Sequence, residues 1–84
     1  MTIELRIPDS VVETMRLPEE DMGGQLLVEL AVALYTRGIL SFGKARDLAS
    51  LSHVEFARLL GRRGVVRHYG QSELEDDLEY ARRE

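Results

Sequence analysis

The chain has 84 residues, of which 44% are hydrophobic and 31% charged, and it contains no cysteine. This length provides one small core, and the lack of cysteine excludes a disulfide framework and a thiolate metal site. The N-terminus has no signal-peptide pattern, and the apolar segment 26–40 is too short to cross a bilayer, so we expect a cytoplasmic protein with no membrane partner.

The net charge of −4 is unevenly distributed along the chain. Residues 1–36 carry seven acidic and two basic side chains, and residues 71–84 carry six acidic and two basic ones. Residues 37–70 carry seven basic and only two acidic side chains. A basic middle segment favours an anionic partner such as nucleic acid, whereas mutual neutralisation of the three segments on one surface is the alternative.

The first element predicted is a strand over residues 2–7. Ile3, Leu5 and Ile7 alternate with polar residues, and Pro8 stops the run. A single strand cannot satisfy its own backbone hydrogen bonds, so it requires a partner. Two partners remain open: the β-like run 64–69 of the same chain, or the same strand in a second copy.

Helices follow the strand. Asp9 or Ser10 can cap a short first helix, and a second helix is expected to start near Pro18, where acidic residues favour the positive end of the helix dipole. The pair at 23–24, both glycine, weakens this helix or divides it in two. Residues 25–37 are apolar on nearly every side, which predicts a central helix that also contributes to a dimer interface.

Residues 41–64 have the pattern of a helix-turn-helix. Ser41 can cap a helix over residues 43–49, and Ser52 with Glu55 forms a capping box that starts the second helix. Two residues depart from the usual pattern. Arg46 stands where the first helix usually has a small side chain, and Ser50 stands where the turn usually has glycine.

In such a motif the start of the second helix reaches base edges and flanking cations hold phosphates. We expect His53 and Arg58 to read bases, and Arg46, Arg62 and Arg63 to contact phosphates. The full set expected at DNA is Arg46, Ser52, His53, Val54, Ala57, Arg58, Arg62 and Arg63. A helical hairpin with exposed arginines, which does not bind DNA, is the alternative.

Catalysis has little support in the sequence. His53 and His68 lack metal-ligand spacing, and the run 61–64 lacks the length and the lysine of a phosphate-binding loop. We therefore expect a protein that is not an enzyme and has no catalytic residues, metal, cofactor or small-molecule substrate.

The C-terminal residues predict one more helix. Ser72 and Glu75 repeat the capping box, but the apolar stripe that follows is narrow and flanked by acidic residues. Such a helix is marginal in isolation and is typical of a segment that orders on a partner.

The whole chain resembles a family of small prokaryotic proteins thought to be helix-turn-helix antitoxins, often encoded beside PIN-domain ribonuclease toxins. The resemblance rests on the N-terminal run 2–8, the segments 29–35, 38–45 and 47–49, and the later short runs 55–56, 59–61, 68–69 and 76–79. The chain departs from this family at Arg46 and Ser50, where its members tend to have small residues.

This resemblance implies a type II antitoxin with two parts. Residues 1–69 would dimerise and bind operator DNA, so that the protein regulates transcription of its own operon, and residues 70–84 would neutralise a PIN-domain toxin. Arginines would reach the toxin's carboxylates, and apolar side chains would fill a groove on it. The residues implied at the toxin are Arg67, Tyr69, Leu74, Leu78, Tyr80, Arg82 and Arg83.

The fold expected is therefore mainly α: a dimeric helix-turn-helix domain with a short N-terminal strand and a minor two-stranded β element. A ribbon-helix-helix is the alternative fold, with residues 3–7 as the ribbon and residues 9–37 as its helices. It would place Glu4 and Arg6 in the DNA groove. A protein-interaction module that never binds DNA is the alternative function.

Overall fold

A computed structural model describes residues 1–66 of the chain. Within that range four α-helices and one 3₁₀ helix follow one another, which confirms a mainly helical fold. In chain order they are α1 (Asp9–Val12), the 3₁₀ helix (Glu19–Asp21), α2 (Met22–Thr36), α3 (Phe42–Ala49) and α4 (His53–Arg62). The predictions for residues 67–84, which include the boundary at 69 and the whole toxin-binding set, lie outside the described residues.

The N-terminal run has no strand partner within residues 1–66. Residues 1–8 are all exposed and carry no regular secondary structure. Residues 64–69 are the predicted strand partner of residues 2–7 within the chain. The structure describes this run only to Val66, and residues 64–66 form no strand. The two-stranded element is therefore not confirmed, because nothing in the described part of the chain offers residues 2–7 a hydrogen-bonding edge.

Helix α2 begins after Pro18 and three acidic residues, as predicted, and it includes Gly23 and Gly24 in its first turn. The two glycines therefore do not divide an α-helix. Only Ala31, Val32 and Tyr35 of α2 are buried, while Leu27 is 43% exposed. Among the described residues, α3 and α4 cover only one side of the helix, and its contribution to a dimer interface stays a prediction.

Three aromatic rings form the centre of the core. Tyr35 from α2, Phe42 from α3 and Phe56 from α4 are fully buried. Tyr35 meets the other two edge-on, with ring centroids 6.0 Å from Phe42 and 6.2 Å from Phe56, and the two phenylalanines lie 5.3 Å apart. These are favourable aromatic geometries, so a single cluster joins all three long helices.

Helices α2, α3 and α4 all end in the same hydrogen-bonding pattern, the Schellman motif. Within two residues of the end of each helix, one residue has a left-handed backbone, with φ of 75° at Gly38, 57° at Ser50 and 67° at Gly64. At α3, the backbone N–H of Ser50 donates to the carbonyl of Asp47 (3.1 Å) and that of Leu51 donates to the carbonyl of Arg46 (3.0 Å). Two of the three positions have glycine, which this conformation favours, and the third has serine, Ser50.

We expect Ser50→Gly to stabilise the protein. A left-handed conformation is unfavourable for a residue with a side chain, and glycine removes that penalty but gains entropy in the unfolded chain. The net increase in the free energy of unfolding should be about 0.5–1 kcal/mol. Urea denaturation followed by circular dichroism measures it, with Ser50→Ala as the control that keeps a Cβ. Equal stability of the Gly and Ala variants would contradict this explanation.

Candidate nucleic-acid interface

The start of α4 is fixed by the predicted capping box. The hydroxyl of Ser52 accepts a hydrogen bond from the backbone N–H of Glu55 (3.1 Å), and the Glu55 carboxylate accepts one from the backbone N–H of Ser52 (2.9 Å). Hydrogen bonds from the Ser52 backbone, and then from its side chain, lower the pKa of the Glu55 carboxyl. Both side chains are exposed. Ser52, predicted at DNA, is thus already engaged as a cap.

Helix α4 has a sharply divided surface. Phe56 and Leu60 are buried, and the side chains on the opposite face are exposed. Val54, Arg58 and Arg62 follow one another at intervals of four residues, so they project from the same exposed face. Ala57 is half-buried at the edge of this face. The exposed face of α4, which we define by Val54, Arg58 and Arg62, is the part of the predicted DNA set that solvent can reach.

His53 lies between the two faces of α4. Its side chain is half-buried, and its ring centroid is 4.8 Å from that of Phe42. This contact packs the first turn of α4 against α3. Of the two residues predicted to read bases, Arg58 is therefore on the exposed face, whereas His53 also contributes to the packing of the two helices.

Arg63 is held by a residue of α2. Its guanidinium donates two hydrogen bonds to the Glu29 carboxylate, at 2.8 Å and 2.6 Å. This pair lowers the pKa of Glu29 and raises that of Arg63. The side chains remain 38% and 48% exposed, so we expect a contribution to stability of at most about 1 kcal/mol. The pair fastens the end of α4 to α2, and it uses two of the five guanidinium N–H donors with which Arg63 would bind a phosphate.

Arg46 is partly enclosed in α3. Its Nε is buried and has no hydrogen-bond partner in the described part of the chain, and its Nη1 is 3.7 Å from a carboxylate oxygen of Asp47. The side chain is only 25% exposed. A large residue is therefore accommodated where a small one is usual, with most of its side chain covered and its guanidinium beside an acid.

A shallow groove of about 260 Å³ runs along α4 and includes two of its exposed cations. It is lined by Leu51, Glu55, Arg58, Leu59 and Arg62. The predicted DNA set did not include Leu51 or Leu59, because their apolar character suggested core positions. Both are only half-buried. The groove therefore combines two guanidinium groups with apolar walls and one carboxylate already engaged in capping.

Residues 1–66 contain no group of three or more histidine, aspartate or glutamate side chains placed to hold a metal ion. In the same range no helix has the length and apolar character needed to span a membrane.

Comparisons with known proteins relate the chain to one family along almost its whole length. The profile of the uncharacterised protein family UPF0175 matches residues 1–83. A UPF0175 protein of Aeropyrum pernix is 44% identical over 78 residues, covering 93% of this chain and 88% of its own length. One from Archaeoglobus fulgidus is 39% identical over 80 residues (92% and 86%), and one from Synechocystis sp. is 31% identical over 80 residues (95% and 85%).

No solved structure matches the chain. The family profile and the three relatives agree, and each covers most of the sequence. The chain belongs to the uncharacterised protein family UPF0175.

Proposed function

We propose that this protein is the antitoxin of a type II toxin-antitoxin system. It binds operator DNA through α4 and neutralises a PIN-domain ribonuclease through residues 70–84. The observation that carries the DNA-binding part is the exposed face of α4: a capped helix presents Arg58 and Arg62 to solvent, and its opposite face is buried. Such a protein is not an enzyme and needs no cofactor.

The arrangement of α3 and α4 supports a helix-turn-helix. Two helices are joined by the short turn 50–52, and aromatic side chains from both pack together. In this motif the second helix enters the major groove with its first turns against the bases. Val54 in the first turn offers an apolar side chain to a thymine methyl, and Arg58 one turn later offers a bidentate donor to guanine. Arg62 is then placed for a phosphate.

A dimer is part of this proposal. Helix-turn-helix proteins bind two half-sites about one helical turn of DNA apart, so a two-fold symmetric protein matches a palindromic operator. The exposed Leu27 and the rest of that side of α2 support an interface there, because the described residues cover this long apolar helix on only one side.

The toxin-binding part rests on the resemblance and on the sequence of residues 70–84, which lie outside the described residues. Six acidic side chains lie among residues 71–84 beside a narrow apolar stripe, a composition typical of segments that order on a partner. We propose that Leu74, Leu78 and Tyr80 fill a groove on the toxin. Arg67, Arg82 and Arg83 are then the candidates for reaching its metal-binding carboxylates.

Arg58→Ala tests the DNA-binding part. Losing a bidentate contact to a base removes about 1–3 kcal/mol, so affinity for DNA from upstream of the gene should fall about 5- to 150-fold. Arg16→Ala is the matched control, because it removes the same charge from an exposed position outside α3 and α4. Binding is measured by fluorescence anisotropy at several salt concentrations. Equal effects of the two substitutions would contradict a specific role for Arg58.

Arg58→Lys then separates base reading from phosphate binding. Lysine keeps the charge but lacks the planar fork, so the preference for operator over random DNA should fall while binding to random DNA persists.

If wild-type protein shows no salt-dependent DNA binding at all, the protein is an interaction module. If Arg6→Ala loses the sequence preference and Arg58→Ala keeps it, the N-terminal run lies in the DNA groove. The protein then binds DNA as a ribbon-helix-helix.

A further inference from the structure

The N-terminal arm, which we define as residues 1–8, lies beside the uncovered side of α2. Side chains from both segments line one open apolar groove of about 530 Å³. Ile3, Leu5 and Ile7 come from the arm, and Leu26, Leu27 and Leu30 come from α2. Ile3 is 74% exposed and Leu5 72%. A contiguous apolar surface of this kind marks an interaction site.

The arm also has unused hydrogen-bonding capacity. The backbone groups of residues 2–7 make no hydrogen bond within the described part of the chain. Unpaired backbone donors and acceptors are a template for strand pairing with another chain. An occupant that supplies both apolar side chains and a strand would fill the groove and pair with the backbone of residues 2–7.

We propose that the occupant is the arm of a second copy of this chain. The two arms pair antiparallel across a two-fold axis at Leu5 and close the groove. This interface rests on the dimer of the proposed function, to which it gives a location and a register. It requires neither DNA nor a toxin, so failure of this pairing would leave DNA binding and toxin neutralisation to be judged by their own tests.

The alternation of side chains restricts the register of this pairing. Residues directly opposite one another in a sheet project on the same face, so Ile3, Leu5 and Ile7 must face odd-numbered residues of the second arm. Three nearby two-fold registers satisfy this condition, with residue 4, 5 or 6 on the axis. Any register shifted by a single residue would place apolar side chains opposite polar ones.

Charge selects one register among these three. An axis at residue 4 places Glu4 opposite its own copy, and an axis at residue 6 places Arg6 opposite its own copy. Like charges directly opposite one another destabilise a sheet. With Leu5 on the axis, each Glu4 faces Arg6 of the second copy, and each Ile3 faces Ile7. Two attractive pairs then lie on the polar face, and six apolar side chains lie together over the groove.

Disulfide cross-linking tests this register, because the natural chain contains no cysteine. Leu5→Cys should oxidise to a covalent dimer, since opposite Cβ atoms lie about 4.5–5.5 Å apart. Ile3→Cys alone should not, because two residues 3 would lie about 13 Å apart along the ribbon. A mixture of Ile3→Cys and Ile7→Cys should cross-link, and Glu13→Cys reports random collision. Cross-linking of Leu5→Cys no faster than of Glu13→Cys would overturn the proposal.

Charge reversal provides a second test that leaves the apolar side chains unchanged. Glu4→Arg should weaken the dimer roughly tenfold or more, because both attractive pairs become repulsive. The double variant Glu4→Arg with Arg6→Glu should restore it. Sedimentation equilibrium of the full chain measures the dissociation constant, and circular dichroism checks that the helices persist. A monomeric wild type, or equal dimerisation of all three proteins, would overturn the proposal.

Discussion

Phe56→Ala should lower the melting temperature of the protein by roughly 10–40 °C. Phe56 is fully buried and contacts both Tyr35 and Phe42, so its removal leaves a cavity at the point where α2, α3 and α4 meet. Truncating a buried phenylalanine costs about 3–5 kcal/mol. Small domains have a total stability of only about 5–15 kcal/mol, so this loss is a large part of it.

Val54→Ala is the matched control for Phe56→Ala. It shortens an apolar side chain on the same helix, two residues away, but Val54 is 41% exposed. We expect a change in stability of less than about 0.5 kcal/mol from a substitution of this kind. Thermal melts followed by circular dichroism at 222 nm compare the two variants. Similar melting temperatures would mean that the aromatic cluster is not the centre of the core.

Deleting residues 70–84 should abolish neutralisation of the toxin while leaving the helical domain folded. The core residues of the described part all lie between Ala31 and Leu60, so the deletion removes none of them. We expect the truncated chain to keep its DNA binding and to melt within a few degrees of the full chain. Growth rescue in cells that express the PIN-domain ribonuclease measures neutralisation.

Two results would contradict the two-part organisation. If the truncated chain fails to fold, residues 70–84 belong to the core. If it folds and still rescues growth as well as the full chain does, the toxin binds the helical domain instead. Full-length Leu74→Asp provides a check without deletion, because it places a charge in the proposed apolar contact and should also lose rescue.

Local signals predicted the helices well. Ser52 and Glu55 form the reciprocal hydrogen bonds that their spacing indicated, and Ser41 caps α3 through the backbone N–H of Lys44 at 3.2 Å. Gly38 lies two residues after α2 in the left-handed conformation that glycine commonly adopts at a helix end. These features depend on residues three to six positions apart, so a sequence contains most of what determines them.

Features that depend on distant residues could not be predicted in the same way. Glu29 and Arg63 are 34 residues apart, and neither residue indicates by itself that its partner is the other. The expected strand at Ile3, Leu5 and Ile7 had the right alternation, yet a strand forms only against a second edge, and residues 1–66 supply none. The position of His53 at the start of the second helix predicts a contact with DNA. Its contact with Phe42 could not be predicted, because it depends on how α3 and α4 pack together.

Inhibition of the purified ribonuclease tests the central claim most directly. The full chain is titrated into the PIN-domain ribonuclease proposed as its toxin, and cleavage of a labelled RNA is followed. An antitoxin should abolish cleavage at a near-stoichiometric ratio, and the chain lacking residues 70–84 should leave it unchanged. Undiminished cleavage at a large excess of the full, folded chain would contradict the assignment as an antitoxin.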